Sequence, residues 1–89
     1  MNKEPERIPL DHPDFFYCSD LPCAAALEEA GFRHRWLDNS NPRRMVFIFN
    51  QREAGFEEAL KAYRDDELPV IPRLYFDRIR ALKTRIYGG

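Results

Sequence analysis

The sequence predicts an α+β domain: a small three-stranded sheet, antiparallel or mixed and of split β-α-β type, in the element order β-α-β-β-α-α, with helices packed on it. Three observations carry this. Met45-Val46-Phe47-Ile48-Phe49 has no polar position, so it reads as a central strand with both faces covered. Phe32 to Leu37 alternates and is joined to that run by Asp38-Asn39-Ser40-Asn41-Pro42, turn chemistry that makes the pair a β-hairpin. Two later segments repeat apolar residues at helical spacing.

Residues 1–13 hold Pro5, Pro9 and Pro13 among charges and read as a tail, with Ile8 or Leu10 able to touch the body. Residues 14–87 are the single domain. Phe15-Phe16-Tyr17-Cys18 is a short aromatic strand. Ser19-Asp20 offers an N-cap, and Pro22 fits a first turn whose N–H groups have no intrahelical partner. The Ala-rich helix that follows stops at Gly31, a good residue just beyond a helix end. In the edge strand, Phe32, His34 and Trp36 share one face, and Arg33 and Arg35 the other. Asn50 is the expected cap of the second helix, with Glu53 completing a variant capping box. Phe56, Ala59, Leu60 and Tyr63 form that helix's buried stripe. Leu68-Pro69-Val70-Ile71-Pro72 is an extended connector, and Pro72 starts a last helix with Tyr75, Ile79, Leu82 and Ile86 on one side. Segment 45–49 then lies between the other two strands, antiparallel to both. The first helix makes the crossover, and helices are expected on both sheet faces.

Eighty-nine residues make one domain of modest stability, on the order of 5–10 kcal/mol, and this small size favours a binding role. No stretch approaches the roughly 18 apolar residues of a membrane span, so no membrane partner is expected. The first residues lead into no apolar run, so the chain is expected in the bacterial host cytosol, with Cys18 and Cys23 expected as reduced thiols. The formal net charge of −1 hides an asymmetry. Glu53 to Glu67 holds six acids against Lys61 and Arg64, whereas Arg73 to Tyr87 holds five bases against Asp77.

Catalytic and metal-binding patterns are weak. His12, Cys18, Cys23 and His34 match no common zinc spacing. Ser19 and Asp20 are explained by capping, although a pocket holding His34 with Ser19 or Cys18 would be needed for an enzyme. Adjacent acids such as Glu28-Glu29 and Glu57-Glu58 point apart on a helix and read as solvated faces. There is no Gly-rich phosphate loop. The sequence therefore predicts no enzyme and no cofactor. Pro69-Val70-Ile71-Pro72 reads as a linker rather than a polyproline ligand.

Phe16-Tyr17-Cys18-Ser19-Asp20-Leu21, Ser40-Asn41-Pro42-Arg43-Arg44, Val46-Phe47-Ile48-Phe49 and the segments Pro72 to Phe76 and Leu82 to Tyr87 resemble a small domain family of unknown function from bacterial and phage genomes. The resemblance spans about residues 15–87 and implies no activity, cofactor or catalytic residue. It implies a phage or mobile-element setting, in which small cytosolic proteins block host machinery, as anti-CRISPR proteins do, or bind DNA.

The leading expectation is a non-catalytic module that binds a protein partner. Its outer acids Glu57, Glu58, Asp65 and Asp66 would mimic nucleic-acid phosphates toward a basic surface. The alternative is DNA or RNA binding through Arg43, Arg44, Arg73, Arg78, Arg80 and Arg85, provided the hairpin and last helix share a surface. A monomer, or a weak homodimer through an exposed edge strand, is expected.

Overall fold

A computed structural model describes residues 12–41 and 43–87; the expected docking of Ile8 or Leu10 lies outside them. The element order is β1 (Phe15–Cys18), α1 (Leu21–Glu29), β2 (His34–Asn41), β3 (Arg44–Asn50), α2 (Phe56–Arg64) and α3 (Pro72–Tyr87). The sheet order is β1-β3-β2, with β3 antiparallel to both neighbours, so the apolar run is central and the fold is α+β.

The pleat divides β3 between two environments. Phe47 and Phe49, with Met45 beside them, join one core cluster with β1, α1, α2 and α3. Ile48 points to the opposite face, where its register partners are Tyr17 and Trp36, and it is only 1% exposed. Phe15 packs edge-on against Trp36 there, with ring centroids 5.1 Å apart. Among the described residues no helix contributes to this second face. The expectation of helices on both faces is therefore corrected: aromatic side chains of the flanking strands shield Ile48 instead.

α1 is the inner helix. Six consecutive residues, Cys23 to Glu28, are buried, because the helix meets the sheet, α2 and α3 on different sides. Such a helix must be apolar all round and thin, which explains Ala24-Ala25-Ala26. Asp20 is its N-cap residue, yet its side chain makes no capping hydrogen bond. Ala30 closes the far end, and Gly31 follows at φ 108°, a left-handed turn that a side chain would resist.

Three further expectations move. The edge strand begins at His34, and a register shift between His34 and Trp36 puts them opposite Phe49 and Ile48 respectively, so they lie on different faces. β2 continues through the segment read as a turn, to Asn41. Asp38 Oδ1 there accepts the Ser40 N–H and hydroxyl at 3.1 and 2.7 Å, local bonding that accompanies a second irregularity between Asp38 and Asn41. Asn50 ends β3 rather than capping α2, and Gly55, at φ 85°, is the actual N-cap. The stripe Phe56, Ala59, Leu60 and Tyr63 faces the core as expected.

Truncating Phe47, which is fully buried, should cost about 3–5 kcal/mol in urea denaturation. Phe76→Ala removes a ring that is 59% exposed and should change stability by no more than about 0.5 kcal/mol.

Candidate functional site

Glu28 is the single buried charged residue among those described, at 6% exposure, which corrects its reading as part of a solvated face. It projects from the last turn of α1 and gathers two other elements. One carboxylate oxygen, Oε2, lies 2.6 Å from His34 Nδ1 and accepts the His34 backbone N–H at 2.9 Å. The other, Oε1, lies 3.7 Å from the Arg78 guanidinium of α3. Burial alone would raise the Glu28 carboxyl. The two His34 hydrogen bonds, the charge on His34 and that on Arg78 more than offset it and hold the group below its ordinary value. His34 packs edge-on against Phe47 and Phe49, so its polar partner is Glu28 rather than Ser19 or Cys18. Among the described residues no three His, Cys, Asp or Glu side chains converge as a metal site would require.

Next to this junction, α1 also fixes the start of α3. Glu29 Oε2 accepts the Ile71 N–H at 2.6 Å, and Tyr75 donates its hydroxyl to the Pro22 carbonyl at 3.1 Å. With Tyr75, Ile79, Leu82 and Ile86 turned to the core, the rest of the connector and α3 is left bare, Leu74 and Phe76 standing on opposite flanks of that stripe. Val70, Ile71, Leu74, Phe76 and Tyr87 are the large hydrophobic residues exposed among those described. All belong to this one segment, interleaved with Arg73, Arg80, Lys83 and Arg85. Leu74 and Arg78 also line a shallow cavity of about 380 Å³ with Glu29 and Ala81.

The arginines named from sequence do not form one cluster. Arg78 is committed to Glu28, and Arg80 lies 3.8 Å from Asp77. Arg73 and Arg85 are twelve residues apart on α3, a separation of about 18 Å. The last turn of α3 does meet the hairpin: Ile86 and Tyr87 line a small cavity with Asn39, Asn41 and Met45. Arg43 and Arg44, both exposed, therefore stand near the end of the helix that carries Arg85.

The acids divide as well. Glu57, Glu58 and Asp65 are exposed on α2 and just beyond it, but Lys61 stands among them, four residues from Glu57 and paired to Asp65 at 3.0 Å. Arg64 lines the same surface cavity as Glu57, Lys61 and Asp65. Asp66 adopts φ 58° where α2 ends and lines a different cavity, with Tyr63 and Tyr75. The outer face of α2 is thus mixed in charge.

Sequence reasoning missed both the Glu28 junction and the exposed apolar segment. A signal for the first was present: no charge precedes Glu28 within the helix, which marks its surroundings as apolar on all sides. For the second, Leu74 and Phe76 stand off the inward stripe of α3, and the connector offers Val70 and Ile71 with no polar residue between them.

Comparisons with protein-family models, with characterised proteins and with solved structures return no match.

Because the folded-state Glu28 is held low, its pairing stabilises the fold above the ordinary value of 4.5 and loses that contribution as pH falls through the folded value. Glu28→Gln should cost about 1–3 kcal/mol at neutral pH, with the gap to the wild type narrowing as pH drops below the ordinary range. Urea denaturation across a pH series measures both. A gap that is absent, or constant with pH, would show that the junction contributes nothing as an ion pair.

Proposed function

We propose that this protein is a non-catalytic module that docks on another protein through the outward side of α3 and the connector before it. One observation carries the reading: the exposed large hydrophobic residues among those described all fall on this segment. Apolar side chains set among arginines are the composition of interface centres rather than of ordinary surface. The segment is also held in place from behind, by Glu28 on Arg78, Glu29 on the Ile71 N–H and Tyr75 on Pro22. Little ordering is left for the moment of binding. The complementary partner surface is apolar with an acidic rim that meets Arg73, Arg80, Lys83 and Arg85. In the phage or mobile-element setting implied by the sequence resemblance, such a partner is a component of host defence that the module blocks in the cytosol.

The acids Glu57, Glu58, Asp65 and Asp66 are a weaker docking surface in this reading, since Lys61 and Arg64 interrupt their field. A second reading has its own support. The meeting of the α3 terminus with the hairpin brings Arg43, Arg44 and Arg85 to one end of the molecule beside exposed Tyr87, a group suited to phosphates and a stacked base.

A photo-crosslinker placed at Phe76 should capture a stoichiometric partner from host lysate, and one placed at Glu58 should not. Leu74→Glu should weaken that capture about thirtyfold, as loss of an interface anchor worth roughly 2 kcal/mol would, with far-UV circular dichroism unchanged. Equal capture from both positions, or none from either, would reject the α3 surface. Salt-dependent binding to random duplex, abolished by Arg43→Glu/Arg44→Glu, would favour the nucleic-acid reading instead.

A further inference from the structure

Cys18 ends β1 and Cys23 sits in the first turns of α1, so the strand-to-helix corner brings two thiols together. Both are free and buried, at 3% and 5% exposure, and both line one cavity of about 330 Å³ with Ser19, Tyr63 and Arg64. Cys18 in its thiol form donates to the Asp20 carbonyl at 3.2 Å. Arg64 projects from α2 over the Phe16 ring, 5.8 Å from its centroid, which holds a fixed positive charge at the cavity wall. None of these groups takes part in the α3 docking surface.

We propose that Cys18 and Cys23 form a redox-active dithiol: Cys18 attacks a hydroperoxide admitted to this cavity, and Cys23 resolves the product to an intramolecular disulfide.

The surroundings treat the two sulfurs differently. Hydrogen bonding from the Cys23 thiol lowers the Cys18 value; burial and the negative charge of Asp20 oppose this, and backbone N–H groups of Asp20 and Ala24 at the start of α1 assist it. The same hydrogen bond to Cys18, together with burial and the negative charges of Cys18 and Asp20, raises Cys23. One sulfur is thus prepared as the nucleophile and the other keeps its proton. Burial raises the Tyr63 phenol to about 12, so Tyr63 stays neutral at the cavity wall.

The chemistry balances with the hydroperoxide as oxidant. The Cys18 thiolate sulfur attacks the terminal peroxide oxygen, an S–O bond forms, the O–O bond breaks, and the departing hydroxide or alkoxide takes up a proton. Cys23 sulfur then attacks the sulfenic sulfur, the S–S bond forms, and the hydroxyl leaves with the Cys23 proton as water. The dithiol loses two electrons and the peroxide gains them. Closure joins two thiols that already line one cavity at the β1–α1 corner.

Folded, reduced protein treated with hydrogen peroxide should lose both thiols together. Its intact mass should fall by that of two hydrogens, and a dithiol reductant should restore it. Cys23→Ala should leave Cys18 as a sulfenic acid that dimedone labels, whereas Cys18→Ala should leave Cys23 reduced under the same exposure. Thiols that survive excess peroxide, sulfenic acid on both cysteines independently, or a disulfide between two molecules would each overturn the proposal.

Discussion

β3 is hydrogen-bonded along both edges and apolar on both faces, and the rest of the molecule is arranged around satisfying that. Phe47 and Phe49 demand a roof, and α1, α2 and α3 together provide it. Ile48 demands shelter on the other side, which Tyr17 and Trp36 give from the neighbouring strands. An apolar run such as Met45 to Phe49 can be closed off in either way, by helices or by large rings one register step across. The chain uses one solution on each face.

Placing three helices on a single face forces one of them inside. α1 is that helix, and its alanines let the sheet and α3 approach closely. The same crowding traps Glu28, whose charge is tolerable only because β2 and α3 each bring a partner to it. A buried carboxylate therefore becomes the pin that joins three elements and sets the pose of α3. The outward side of that helix is where apolar and basic side chains meet solvent. The proposed docking function depends on this sequence of constraints rather than on any single residue.

How much of this was legible in the sequence follows from the range of each signal. The central strand, the stripe on α2 and the start of α3 at Pro72 are local patterns, and each appears where its residues predict, whereas the hairpin pairs the expected segments but carries its first strand on to Asn41. The cap at Asn50 failed because Gly55 can adopt the left-handed turn that β3 needs to continue before α2 begins. The alternation of His34 and Trp36 failed because a bulge adds a residue to β2, which no period-two pattern can register. Helices on both faces were inferred from apolarity alone, and apolarity cannot distinguish a helix from an aromatic neighbour as the cover. The Glu28 junction joins residues from three elements, so pattern within one segment could not assemble it.

Native-state hydrogen exchange tests the central role of β3 most directly. The amides of Phe47, Ile48 and Phe49 should exchange only through global unfolding, with protection equal to the unfolding free energy from denaturation and greater than that of β2 or α3. Exchange of these three amides through a local opening, at lower free energy than the α3 amides, would contradict the account.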